Sequence, residues 1–534
     1  MRTVVVHHFD NMKKKWLYKV LGRRISVILI LLAEVLLLFY LIWSRSFSSK
    51  VITVVLNVFS LIISLLIVSK HEKGGYKLIW VFLLLLFPLV GGSLYIALNL
   101  QSGTNKFGKR IVKIERESRP SFLIGGNDFE MVKRKDSPYF PRVYYLEKCG
   151  FPVYENCDVK YLSPGEKFFE CLVSELQKAK KYIFMEYFII ENGRMWGSIY
   201  EILKEKSARG VCVRVLFDDI GCFMTLPSNF KKRLESDKIQ CAIFNPFKPF
   251  LSSVQNNRDH RKITVVDGRI AFTGGANLAD EYINEIRKHG YWKDASVLIR
   301  GRAAWSFVVM FLQMWQFTTG VAENYADFYP YDTNDGNDEG DDKEVADNAA
   351  AKRNNGFVQP YADSPLDYEN VGEHVYLQII SNAKKYIYIN TPYLILDDSL
   401  NSALCLAAKS GIDIRIVTPH KWDKRIVHLT TRSYYRRLIK AGVKIYEYTN
   451  GFIHSKVFVS DDTTATVGTT NLDFRSLYLH FECGVVLYEN DEIGAIKEDF
   501  LKTLDECELM PLPKKGNIFV RLFESVLRLF APLM

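Results

Sequence analysis

The sequence contains no Cys-x-x-Cys pair and no cysteine–histidine cluster at zinc-ligand spacing, although it carries nine cysteines. That excludes the common structural zinc folds. An odd, dispersed set of thiols reads as free cysteines facing a reducing compartment, not as a disulfide framework. An EF-hand is also absent. The acidic stretch Asp335-Gly336-Asn337-Asp338-Glu339-Gly340-Asp341 has the wrong ligand spacing. No small-residue cleavage site stands out after the first apolar run, and further apolar runs follow, which argues against a cleaved signal peptide. Nor is the chain acidic overall. Seventy Lys and Arg against sixty Asp and Glu leave a formal charge of +10, which suits anionic partners such as phosphates, nucleic acid or acidic lipid.

What is present is unevenly spread. The 534 residues suffice for more than one domain. Residues 1–24 form a polar, basic tail. Three apolar runs follow, at 25–43, 51–68 and 78–98, each long enough for a bilayer core of ~30 Å. The basic tail is expected in the cytoplasm by the positive-inside rule. The segment after the third run, from Lys106 to Arg119, is basic too. Three full spans cannot leave both ends on one side, so one run is expected not to cross. Pro88 and Gly91-Gly92 mark the third for a re-entrant bend. Glu34, inside the first, makes that run the other candidate.

A polar connector, 101–160, leads into an α/β body. Residues 168–180 read as a helix, with Phe168, Phe169, Leu172, Val173 and Leu176 on one face. A strand at 182–190, a helix at 196–208 and a strand at 211–218 follow. The second half returns to the same order. Ala179-Lys180-Lys181-Tyr182-Ile183 recurs as Ala383-Lys384-Lys385-Tyr386-Ile387. Arg209-Gly210-Val211 recurs as Ser410-Gly411-Ile412. Strand–helix–strand alternation predicts α/β units with buried sheets, and the duplication predicts two units about a pseudo-twofold axis. They are placed at 161–330 and 357–512. An acidic linker at 331–356 is too polar to pack. The end, 513–534, reads as an amphipathic helix, suited to a membrane interface more than to a core.

One pattern organises the rest. His260, Lys262, Asp267, Gly274 and Asn277 spell H-x-K-x4-D-x6-G-x-x-N, and His454, Lys456, Asp461, Gly468 and Asn471 spell it again. A single H-x-K carries no weight, because chance produces many. Two copies matching at five positions do not arise that way. In a strand, residues i and i+2 share a face, so each His is expected beside its Lys. An imidazole serves as nucleophile or proton carrier near neutral pH, and a lysine suits a phosphate oxygen. One copy gives half a phosphate site. Two facing copies give what in-line displacement at a phosphodiester needs: a nucleophile, an acid, and cations on the oxygens.

The doubled motif resembles the phospholipase D superfamily, and the wider chain resembles the bacterial cardiolipin synthases within it. The supporting phrases are Gly274-Gly275-Ala276-Asn277, Trp292-Lys293-Asp294, Gly451-Phe452-Ile453-His454 and Asn471-Leu472-Asp473-Phe474-Arg475-Ser476. The chain departs from the family pattern in its extra first apolar run, its longer acidic linker, and His480, where the family tends to have Asn before Glu482. The resemblance implies two phospholipase D-like α-β-α units preceded by transmembrane helices, in a multi-pass membrane protein with its body on the cytoplasmic face. It implies phosphatidyl transfer between two phosphatidylglycerols, giving cardiolipin and glycerol through a phosphatidyl-histidine. His260 is taken as nucleophile and His454 as acid/base. Lys262, Lys456, Asn277 and Asn471 would hold phosphoryl oxygens. Asp267 and Asp461 would orient a histidine across the seam, and Glu186 and Glu482 would support the site. No metal, cofactor or nucleic acid is expected. A membrane-tethered hydrolase or nuclease, and a synthase using another acceptor, remain alternatives. The nuclease predicts aromatics interleaved with basic residues, of which Tyr434-Tyr435-Arg436-Arg437 is a short stretch.

Overall fold

The computed structural model describes residues 29–41, 43–44, 46–70, 72–99, 102–135, 137–247, 253–331, 356–367, 369–514 and 516–534. The basic tail and the acidic linker, apart from Tyr331 and Gly356, lie outside the described residues. The chain divides into two units, residues 1–102 and 103–534.

In the first unit, Phe47–Val68 is the one helix among the described residues long and apolar enough to cross a membrane. Ser46 caps it by accepting the Ser49 N–H on its hydroxyl, a favoured use of serine at a helix start. Shorter apolar helices run over Leu29–Leu41 and Gly74–Leu86. The third apolar run is not one helix. It stops at Leu86, leaves helical geometry at Phe87, and restarts as Pro88–Asn99. Proline causes the break, because it disfavours helical geometry in the residue before it. Glu34 repairs the exposed helix start. Its carboxylate accepts the N–H groups of Leu89 at 2.6 Å and Val90 at 3.1 Å, two donors that a helix terminus leaves without partners. Gly92 packs against the Phe59 ring so closely that a Cβ would lie 2.3 Å from it.

The second unit holds the duplicated body. Its first sheet has seven strands, in the order Asp158–Leu162, Ser296–Arg300, Ile270–Gly274, Lys262–Val266, Tyr182–Tyr187, Cys212–Asp218 and Gln240–Phe244. The last three are parallel to one another and the rest pair antiparallel. The second sheet repeats this plan. Tyr386–Asn390, Asp413–Pro419 and Lys444–Tyr448 are parallel, and Val457–Ser460, Thr464–Gly468, His480–Tyr488 and Phe357–Asp363 follow antiparallel. Apolar residues of both sheets join one core, which also takes in the helix Ala304–Thr319, buried almost all round. The helices predicted at 168–180 and 196–208 occupy Gly165–Lys178 and Arg194–Ala208, on the outer side of the first sheet. The strand predicted at 182–190 ends at Tyr187.

Candidate active site

Each motif is built where the chain leaves one sheet for the other. Arg258–Asp259 pairs in parallel with the start of His480–Tyr488, a strand of the second sheet. The chain then crosses and becomes Lys262–Val266 in the first sheet. The other motif mirrors this. Gly451–Ile453 pairs in parallel with Tyr291–Lys293 from the first half, and Val457–Ser460 lies in the second sheet. His260 and His454 therefore occupy the crossings, not a shared strand with their lysines as expected. His and Lys still meet, because each lysine turns back. Lys262 Nζ donates to the His260 carbonyl at 2.5 Å, and Lys456 Nζ donates to the His454 carbonyl.

The crossing fixes both imidazoles through the opposite half. The His260 N–H donates to the Phe481 carbonyl at 2.9 Å, and its Nδ1 lies 2.9 Å from the carboxylate of the next residue, Glu482. The His454 N–H donates to the Lys293 carbonyl at 2.8 Å, and its Nδ1 lies 2.7 Å from Asp294, again the next residue. The pseudosymmetry thus equates Asp294 with Glu482 and Trp292 with His480. All four partners are buried.

Asp267 and Asp461 do not orient a histidine, contrary to expectation. Each sits in a turn with positive φ, 51° and 55°, at the far end of its motif strand. Asp267 accepts the backbone N–H groups of Lys180, Lys181 and Tyr182 at 2.7–2.8 Å. Asp461 accepts those of Lys384, Lys385 and Tyr386 at 2.6–2.9 Å. The recurring Ala-Lys-Lys-Tyr phrase is the segment these carboxylates grip. Three N–H groups at the start of the neighbouring strand converge on each carboxylate, so these aspartates secure the sheet and leave the imidazoles to Glu482 and Asp294.

Glu186 is also placed differently from the expectation. It is fully buried, and the groups acting on it most are Asp259 and Arg261 rather than either histidine. Burial pushes its carboxyl well up, and Asp259 up to about 6. Both support the crossing strand, which Arg258 anchors by donating to Asp218 at 2.9 Å. Asn277 spends its amide on the Tyr282 hydroxyl at 2.7 Å and its carbonyl on the Ile189 N–H at 3.0 Å. The Asn471 carbonyl oxygen is buried without a hydrogen bond among the described residues.

The charges of the two motifs act on one another. Burial holds His260 well below the usual histidine range, and Lys262, His480, Lys456 and His454 add to the effect. Burial and Lys456 lower His454 to about 4, while Asp294 works the other way. Burial lowers Lys262 to about 8 and Lys456 to about 7. The carboxylates differ. Burial pushes Glu482 well up, against Lys262 and the Thr469 hydroxyl that donates to it. Burial also acts to raise Asp294, but His454 and Lys456 outweigh it and hold the acid below its usual range.

The sequence reading missed Asp294 as a histidine partner. The repeat carried the signal, but Asp294 stands seventeen residues after Asn277 and Glu482 only eleven after Asn471. The unequal loops hid the match. Gly275 is the companion signal, since a Cβ there would lie 2.0 Å from the Asp294 carboxylate. Tyr434 and Tyr435 are buried in the helix Arg425–Ala441, so they provide no stacking platform for nucleotides.

A family profile described as "Cardiolipin synthase, PLD-like domain" matches residues 172–297 and 376–504, one match in each half. A protein named cardiolipin synthase from Geobacillus kaustophilus is 31% identical over 96% of this chain and 99% of its own length. The chain belongs to the cardiolipin synthase family. An uncharacterised family relative from Streptococcus mutans is 42% identical over 85% of this chain and 96% of its own. The solved phosphatidylserine synthase of Haemophilus influenzae shares the fold, with a TM-score of 0.53 at 14% identity, covering 72% of this chain and 95% of that one.

Proposed function

We propose that the protein is a phosphatidyltransferase that joins two phosphatidylglycerols into cardiolipin and releases glycerol. The observation that carries this reading is the exchange of strands at the two crossings. It sets each imidazole on a carboxylate of the opposite half, and each imidazole feels the charge of both lysines. A phosphodiester entering there meets two cations for its non-bridging oxygens, a neutral imidazole for attack and a second imidazole for the leaving group.

The two carboxylates support an order of events. Asp294, held as an anion, works against the lowering at His454, so His454 is the better placed of the two imidazoles to enter the cycle carrying a proton, as a general acid must. Burial, with Lys262 beside it, keeps His260 neutral, and with Nδ1 turned to Glu482 its Nε2 suits the nucleophile. Nε2 of His260 attacks phosphorus, and the bond to the glycerol oxygen breaks as His454 protonates it. His454 then takes the proton from the terminal glycerol hydroxyl of a second phosphatidylglycerol. That oxygen bonds phosphorus, the P–N bond breaks, and His260 is restored. Lys262 and Lys456 stabilise the charge on the phosphoryl oxygens throughout.

Lipid substrates place the body at a membrane surface. Phe47–Val68 is the candidate span. The helix Ile518–Phe530 exposes Ile518, Phe519, Leu522 and Phe523, a face suited to the acyl boundary. It is held to the body by Leu527 and by Arg528, which donates to the Ser433 carbonyl at 3.2 Å. Arg475, just beyond Asn471, likewise donates to the Leu533 carbonyl at 3.2 Å. The lipid-facing segment is thereby tied to the wall of the second motif.

The test is turnover of labelled phosphatidylglycerol by the full chain in vesicles containing a chelator. Cardiolipin and free glycerol are expected in equal amounts, and His260→Ala and His454→Ala are each expected to stop both. Phosphatidic acid in place of cardiolipin would make the protein a hydrolase. Full activity in either variant would remove the two-imidazole scheme.

A further inference from the structure

His480 plays no part in the chemistry above, yet it is one of the more unusual groups in the body. It is buried, its ring centroid lies 5.4 Å from that of His260, and neither of its ring nitrogens has a hydrogen-bond partner among the described residues. A buried imidazole left unbonded forfeits hydrogen bonds it had in water. Its Nδ1 stands 3.8 Å from a Glu482 oxygen, too long for a hydrogen bond. One donor atom from each of His260, His480 and Glu482 lies within 4.8 Å of the others. Linear spacing could not reveal the cluster, because the crossing at His260 brings in a residue more than two hundred positions away.

We propose that His260, His480 and Glu482 form a transition-metal site that switches the enzyme off. Two imidazoles and one carboxylate, with coordination positions left over, suit divalent zinc, cobalt or copper. Hard magnesium or calcium would demand more oxygen ligands than the cluster offers. Binding forms a metal–nitrogen bond through the lone pair of the neutral His260 imidazole, whose single N–H is carried on the other ring nitrogen, so the ring releases no proton. The imidazole lone pair is then committed to the metal, and Glu482 no longer positions the ring. No oxidation or reduction is involved.

The site is one-sided. The residue equivalent to His480 in the other half is Trp292, whose ring centroid lies 5.1 Å from that of His454. Indole nitrogen carries a donor N–H and no lone pair for a metal. The His454–Asp294 pair therefore lacks a third ligand of this kind. Lys262 and Lys456 face the cluster and oppose a cation, so a modest affinity is expected.

The experiment uses the full chain in lipid nanodiscs, freed of metal by chelator and then dialysed. Zinc binding is followed by calorimetry, and cobalt binding by its visible absorption. The variants are His480→Asn and His480→Gln, which keep a polar side chain at the position. One zinc per chain is expected, with a cobalt spectrum of nitrogen and oxygen ligands, and zinc is expected to inhibit turnover. Both variants should bind zinc at least about 10-fold more weakly and lose the inhibition in the same proportion. Copper should inhibit at least as strongly as zinc, cobalt less, and magnesium not at all. The binding arm does not depend on what the enzyme makes, and it decides the matter even if a variant is inactive. Equal zinc affinity in the wild type and both variants, or no zinc bound by the wild type, would overturn the site.

Discussion

Replacing Asp294 by asparagine tests the part of the site that the sequence motif does not contain. Asp294→Asn keeps the shape of the side chain and removes its charge. The wild-type carboxylate lies 2.7 Å from His454 Nδ1 and also accepts the Ala295 N–H at 2.8 Å. The His454 contact is one buried, charge-assisted hydrogen bond, and such bonds contribute about 1.5–3 kcal/mol. If that stabilisation is realised when His454 carries the leaving-group proton, kcat falls about 10- to 150-fold. KM for phosphatidylglycerol should change little, because Asp294 touches the imidazole and not the phosphate. The assay is steady-state cardiolipin formation in mixed vesicles, with the melting temperature measured on the same preparation. A variant with wild-type kcat and an unchanged melting temperature would refute the role given to Asp294.

Asp267→Ala should do the reverse. Losing its hydrogen bonds to three backbone N–H groups should cost roughly 2 kcal/mol of stability, read by denaturant unfolding, while protein that stays folded turns over near the wild-type rate. Gly275→Ala drives a methyl group onto the Asp294 carboxylate and should lower kcat at least as far as Asp294→Asn, whereas Thr469 occupies the equivalent place in the other half without conflict. The pH profile should separate activity from stability. Lys262 and Lys456 are held near 8 and 7, below their unfolded values, so the unfolded chain binds more protons above about pH 7 and these groups add stability as pH rises. Their ammonium charge disappears over the same range, so kcat/KM should fall as pH rises through about 7 to 8 while the melting temperature does not drop over that interval.

The repeat, the paired histidines and lysines, and the α/β order were legible because they are written in local spacing and in apolar periodicity. The break at Phe87 was legible for the same reason, since Pro88 acts on its immediate neighbour. What spacing could not convey was the exchange of strands. His260 and Lys262 look like neighbours on one strand until Arg258–Asp259 is seen to pair with the other half. That exchange reassigns the orienting carboxylate from Asp267, nearby in sequence, to Glu482, far away in it. It also explains why Asp294 looked like part of a family phrase and nothing more. Glu34 was another long-range case. A carboxylate in an apolar run reads as a functional group, and its partners, the amides of Leu89 and Val90, become visible only once the helices are packed.

The most direct measurement is to trap the enzyme–lipid bond. His454→Ala is mixed with a phosphatidyl ester carrying a nitrophenolate leaving group, which departs without an acid, and the peptides are then mapped by mass spectrometry. A phosphatidyl group on His260 that accumulates because the second step lacks its base is the predicted result. A phosphatidyl group found instead on His454 in the matching His260→Ala experiment, or no adduct in either variant, would contradict it.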